Sequence, residues 1–151
     1  MILSSQPKLT VYLADDDADD RLLFEEALME LSEDVNLTTA KNGQQLMSFL
    51  GNAVPPPPDL IFIDLNMPLK NGFECLDEIR QSKKYEGIPV VIFSTSCQKE
   101  AIDNVYEKGA NYYICKPNSF QKLKTLLNRV LELDIHELHT RPSRDEFLLS
   151  I

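Results

Sequence analysis

Four groups of polar residues in this chain have the types needed to do chemistry together: Asp15-Asp16-Asp17, Asp64, Ser94-Thr95-Ser96 and Lys116. Each stands at the end of a short apolar run. Carboxylates held close together repel one another and favour a hard divalent cation such as Mg²⁺. A carboxylate is also a nucleophile that can take a phosphoryl group as an acyl phosphate. A cation and an ammonium would neutralise charge on the transferring oxygens. A hydroxyl would hydrogen-bond a phosphoryl oxygen once one is present. Taken singly, each group has an ordinary explanation. An aspartate after a strand commonly caps a helix or turn, and a lone lysine is usually solvated. Four strand ends in one chain are harder to explain as capping. The sequence has no glycine-rich nucleotide-phosphate loop. It has no HExxH and no Cys/His cluster, which argues against zinc.

These groups converge only if the intervening elements bring them together. Leu9–Ala14 reads as a strand that ends in the aspartates. Leu22, Leu23, Ala27, Leu28 and Leu31 then fit a helical stripe. Residues 37–40 form a weaker strand, and Leu46, Met47, Phe49 and Leu50 a short helix that the prolines 55–58 stop. Asp59–Asp64 does not alternate, as suits a strand buried on both faces of a parallel sheet. Phe73, Leu76 and Ile79 mark a third helix, and residues 89–94 a fourth strand. Ala101, Ile102, Val105 and Tyr106 mark a helix that Gly109 can terminate. Residues 111–115 form a fifth strand, and Phe120 to Leu131 an amphipathic helix. Five strand–helix units predict an α/β fold, a doubly wound parallel sheet with helices on both faces. In such a sheet the loops at the carboxyl ends of the strands gather on one edge, where sites form.

Composition narrows the function. A chain of 151 residues suits one domain, since single cores most often span ~100–150 residues. The formal charge is −9, and ten of the 24 acidic residues but only two of the fifteen basic ones lie in residues 1–34. That balance disfavours generic nucleic-acid binding and anionic membrane surfaces. No stretch approaches the ~20 apolar residues of a membrane span. Met1–Lys8 carries no export signal. Cys75, Cys97 and Cys115 form no CxxC pair, which points to a reduced, cytoplasmic chain.

The stretches VYLADDD (11–17), DLNMPLKNG (64–72), PVVIFS (89–94) and YICKP (113–117) resemble the receiver domains of two-component response regulators. The resemblance covers residues 8–133, with 134–151 as a C-terminal extension. It implies a flavodoxin-like five-stranded sheet of order 2-1-3-4-5. Asp64 is then the phosphoacceptor, with Lys116 and Ser94 as its catalytic companions. Asp15, Asp16 and Asp64 are the Mg²⁺ ligands with the backbone carbonyl of Asn66, and Asp15 acts mainly through metal-bound water. Ser94 is the switch hydroxyl and Tyr113 the switch aromatic. The phosphoryl donor is a sensor histidine kinase or a histidine phosphotransfer protein, and phosphorylation changes affinity for an output protein. No segment after Leu133 is long enough for an output domain, so the expectation is a stand-alone receiver. Dimerisation through the face of the fourth and fifth units stays open.

Plainer roles compete at several positions. Tyr113 could simply pack, and Tyr112 competes with it for the switch. Asp17, Asp19 and Asp20 are expected to cap or flank the first helix. Gly72 is expected to supply a backbone angle that other residues resist. His136 and His139 read as solvent-exposed, and Cys97 and Cys115 as unreactive thiols. Phe147, Leu148, Leu149 and Ile151 need a surface to pack on, a neighbouring molecule being slightly favoured over their own. Two other functions remain. One is a degenerate receiver, never phosphorylated, acting as an interaction module; the intact acidic and lysine set argues against it. The other is an aspartyl-phosphate phosphatase. It would need a second carboxylate where Asn66 stands, and an amide cannot do general acid–base work.

Overall fold

The computed structural model describes residues 9–52 and 56–151. Met1–Lys8 and Pro55, the first of the four prolines read as a connector, lie outside the described residues. The chain alternates β1 (Leu9–Ala14), α1 (Ala18–Leu31), β2 (Val35–Ala40), α2 (Gly43–Gly51), β3 (Leu60–Ile63), α3 (Gly72–Gln81), β4 (Val90–Ser94), α4 (Lys99–Glu107), β5 (Tyr112–Cys115) and α5 (Phe120–Glu132). Two short helices, α6 (Ile135–His139) and α7 (Arg144–Phe147), lead to a last strand, β6 (Leu148–Leu149). All strands are parallel, in the order β2-β1-β3-β4-β5-β6. The expected five-strand order is present, and the extension adds a sixth strand beside β5.

Period-two alternation divides the buried residues between the two faces of the sheet. Tyr12, Ile61, Ile63, Ile92 and Tyr113 pack with α2, α3 and α4. Val11, Leu13, Phe62, Val91, Phe93 and Ile114 pack with α1 and α5. On α1 the buried stripe is Phe24, Ala27 and Leu28. Phe24 meets the rings of Phe62 and Phe93 edge-on at 4.9 and 5.4 Å. That corrects the predicted stripe. Once the large Phe24 ring takes the inward position, the i+3 and i+4 rule turns Leu22 and Leu23 to solvent. Gly109 ends α4 as expected, in the left-handed region with φ +100. The Ala110 N–H closes back on the Val105 carbonyl at 3.0 Å.

The extension docks on its own molecule, the surface less favoured from the sequence. β5 without it would be a bare edge offering unpaired backbone groups, and β6 covers that edge in register with Tyr113 and Ile114. Phe147 passes to one face of the sheet and Leu149 to the other. Phe147 is fully buried, its ring 5.0 Å from Tyr106 and 6.2 Å from Tyr113. Polar contacts fix the approach. Tyr106 Oη donates to the Pro142 carbonyl at 2.9 Å, Asn111 Nδ2 to the Leu138 carbonyl at 3.0 Å, and Arg144 Nε to Asp103 Oδ1 at 2.7 Å. Leu148 and Ile151 stay exposed, as do His136 and His139.

Candidate functional site

The carboxyl ends of β1, β3, β4 and β5 carry the polar groups singled out from the sequence. The sheet ladder runs past the strands and fixes two of them. The Asp15 N–H donates to the Ala40 carbonyl at 3.0 Å, and the Asp64 N–H to the Ala14 carbonyl at 2.9 Å. Asp15 and Asp64 are buried, whereas Asp16 and Asn66 are exposed. Asp17 caps α1, accepting from the N–H groups of Asp19 and Asp20 at 2.9 and 3.0 Å. The Asp17 N–H in turn donates to Asp15 Oδ1 at 3.0 Å.

Lys116 joins these groups. Its Nζ lies 2.8 Å from Asp15 Oδ2, 2.8 Å from Asp20 Oδ2 and 3.0 Å from Asp64 Oδ2. It also sits 5.4 Å from the centre of the Phe93 ring. Asp20 was expected only to flank α1. Its position in the first turn of the helix that starts at the acidic loop is the signal that could have found it, because helical side chains lean toward the N-terminus. Burial pulls the Lys116 pKa down, but the close contacts of its ammonium with the Asp15 and Asp20 carboxylates and the charges of Asp15 and Asp64 outweigh this and hold it above the ordinary lysine value. Burial pushes the Asp15 carboxyl up to about 6, against the pull of Lys116 and the Asp17 N–H.

The charge does not balance. One ammonium faces Asp15, Asp20 and Asp64, and Asp16 adds a further carboxylate. Ligand atoms of Asp15, Asp16 and Asp64 all lie within 4.8 Å of one another. Asp15 Oδ2, despite its ion-pair distance to Lys116, has no aligned hydrogen-bond donor, the one such buried side-chain atom among the described residues. Excess negative charge, close oxygen donors and an under-satisfied buried oxygen fit a hard divalent cation.

Around this cluster lie the hydroxyls. Ser94 is fully buried, and its Oγ accepts from the Ser96 N–H at 3.2 Å. Tyr113 is already turned inward, with its Oη donating to the Ser96 carbonyl. Tyr112 faces the other side of the sheet, so Tyr113 is the tyrosine that reaches the loop after β4. Gly72 matters through space, not angle. A Cβ there would stand 2.4 Å from the Asp64 carbonyl oxygen, and its N–H donates to the Leu65 carbonyl at 2.9 Å. The close approach lets α3 begin against the backbone of Asp64. The expectation of two inert, separate thiols fails: Cys97, in the loop after β4, and Cys115, at the end of β5, are joined as a disulfide. The residues lie 18 apart in sequence, which hides a pairing that the parallel β4–β5 ladder creates.

Known proteins resemble this chain in sequence and fold. A family model of the response regulator receiver domain matches residues 11–128. The response regulator Rcp1 of Synechocystis is 35% identical over 124 residues, 80% of this chain and 84% of that protein. A chemotaxis protein CheY homolog of Campylobacter jejuni is 29% identical over 123 residues, covering 82% of this chain and 92% of its own. The crystal structure of the phosphorylated cyanobacterial phytochrome response regulator RcpA superposes with a TM-score of 0.77 at 32% identity, covering 83% of this chain and 92% of that one. The Mn²⁺-bound form of response regulator Rcp1 gives 0.76 at 30% identity, covering 89% and 99%. No helix among the described residues is long and apolar enough to cross a membrane. With a family match over most of its length and an acidic edge closed by Lys116, the chain belongs to the receiver domains of two-component response regulators.

Proposed function

We propose that this receiver takes a phosphoryl group onto Asp64 from a phosphohistidine of a sensor histidine kinase or a histidine phosphotransfer protein, and thereby switches its affinity for an output protein. Residues 8–133 form the receiver in this reading and 134–151 an extension upon it. The chain changes only its own phosphorylation state and turns over no separate substrate, and it works in the cytoplasm. The observation that carries the reading is the Lys116 contact to Asp64 at 3.0 Å within the Asp15–Asp16–Asp64 cluster.

The residues divide the work. An oxygen of Asp64 attacks phosphorus in line as the bond to the donor histidine nitrogen breaks. Lys116 starts on Asp64 Oδ2, and its ammonium can follow the negative charge onto a phosphoryl oxygen. Asp15, Asp16, Asp64 and the Asn66 carbonyl would hold Mg²⁺, which supplies positive charge to the phosphoryl oxygens when bound. Ser94 Oγ accepts from the Ser96 N–H, and its own O–H, which lies beside the Tyr113 hydroxyl, can turn to donate to the phosphoryl group. Drawing Ser94 toward Asp64 moves the loop whose Ser96 carbonyl Tyr113 holds. The switch thus reaches β5, α4 and the surface where an output protein or a second copy would bind.

Acetyl phosphate with Mg²⁺ tests the reading. Mass spectrometry should show one added phosphoryl group on the wild-type chain, none without Mg²⁺ and none on Asp64→Asn. Wild type that stays unmodified with donor and Mg²⁺ in excess would reduce the chain to an interaction module.

A further inference from the structure

We infer that Cys97 and Cys115 form a reversible disulfide, an oxidative modification site that pins the loop after β4 against the end of β5. The pair is placed for both chemistry and consequence. The two Cα atoms stand 5.7 Å apart, within the span a disulfide bridges without backbone movement. Cys97 is exposed and meets dissolved oxidants, while Cys115 is half-buried behind it. Cys75 is an internal contrast: it is fully buried, and burial pushes its thiol up to about 12.

The oxidant is a low-molecular-weight disulfide such as oxidised glutathione. The Cys97 thiolate attacks one sulfur of that disulfide and expels one thiolate, leaving a mixed disulfide on Cys97. The Cys115 thiolate then attacks the Cys97 sulfur and expels the second. The two protein thiols give up two electrons and two protons, and the reagent leaves as two reduced thiols.

The consequence follows from what lies between the sulfurs. Ser94 pairs in register with Cys115, and the Lys116 N–H donates to the Ser94 carbonyl at 2.8 Å. The segment from Ser94 to Cys97 leaves the sheet at Cys115, and the disulfide returns it there. Both its ends are then fixed to one position of β5. Ser96 sits between them, and its carbonyl receives the Tyr113 hydroxyl. In the disulfide form the loop keeps that carbonyl over Tyr113. In the dithiol form the loop is free to leave. The functional meaning of that restraint rests on the receiver reading, but the disulfide and the restraint do not.

The test uses the full chain in buffers of reduced and oxidised glutathione. Alkylation and peptide mapping should find a Cys97–Cys115 cross-link, two hydrogens lighter than the dithiol and reversed by dithiothreitol, with Cys75 unlabelled in the native state. Amide hydrogen exchange of residues 95–98 should slow on the order of tenfold in the disulfide form and recover on reduction. Cys97→Ser changes an exposed side chain; it should abolish both responses to glutathione while keeping acetyl-phosphate labelling. Glutathione retained on Cys97 alone, or cross-linking between chains only, overturns the site. An intrachain cross-link with unchanged exchange overturns the pinning. Labelling of the reduced wild type by acetyl phosphate reports separately on the receiver reading, so the two can fail independently.

Discussion

The acidic edge and the β5–β6 edge are held by opposite means. At the acidic edge, Asp15, Asp20 and Asp64 converge on Lys116, so folding gathers like charges that the Lys116 ammonium only partly neutralises. At the β5–β6 edge, Phe147 and Leu149 enter the two faces of the sheet, and stability comes from apolar burial that no ion supplies. A switch needs the first kind of region, because an arrangement short of positive charge responds to a phosphoryl group or a cation. The second kind gives a fixed frame against which that response can be read.

Removing Lys116 should have the largest effect. Lys116→Met leaves three carboxylates facing one another with no ammonium. Breaking a buried ion pair by deleting one partner costs about 3–5 kcal/mol, and the variant should lie at the upper end in divalent-free buffer. Millimolar Mg²⁺ should restore part of the loss in urea unfolding. Phe147→Ala comes next, at roughly 3–4 kcal/mol for a fully buried aromatic. Its deficit should be the same with or without Mg²⁺. If Mg²⁺ rescues both variants equally, the contrast between the two edges is wrong.

The two edges also differed in how legible they were. The acidic edge announces itself in sequence because each participant is a polar residue at the end of an apolar run, and a parallel sheet brings such ends together. The convergence of Asp15, Asp64, Ser94 and Lys116 on one edge is therefore legible in the sequence. Asp20 was obscured because an acid in a first helical turn already has an adequate explanation in the helix dipole. The extension was harder. β6 is two residues long and has no periodicity to read; it is a strand only because β5 offers it an edge. The Cys97–Cys115 pairing is likewise a product of the β4–β5 register.

A third prediction concerns pH and the metal-free acidic edge. Asp15 titrates near 6 in the folded chain against an ordinary 3.8. Between those values the folded state keeps a proton that the unfolded state has lost. Stability from this group is therefore present below about pH 4 and is lost as pH rises to about 6. The change is roughly 2–3 kcal/mol at ~1.4 kcal/mol per unit. Urea unfolding of wild type and Asp15→Asn across that range isolates it, since the asparagine variant lacks the titration. A difference between the two that stays flat from pH 4 to 6 would mean that Asp15 is not held out of water as described.

The smallest effect should come from the ion pairs at the rim of the docked extension. Asp103 accepts from Lys99 Nζ at 2.6 Å and from Arg144 Nε at 2.7 Å. These hydrogen bonds, that from Lys99 first, hold its carboxyl below the ordinary aspartate value. A depressed carboxylate pKa contributes stability above its unfolded value, lost as pH falls. All three side chains are, however, well solvated, at 38% exposure for Asp103, 81% for Lys99 and 37% for Arg144. Water and salt screen such contacts, and holding long side chains in place costs entropy. Arg144→Gln should therefore leave the Tm unchanged within error in 0.15 M salt, and hydrogen exchange at β6 should match wild type. The same substitution in low salt should produce at most a slight loss. A large drop in Tm, or release of β6 on losing this one guanidinium, would show that the extension is held by charge rather than by Phe147, and the β5–β6 edge would then resemble the acidic edge after all.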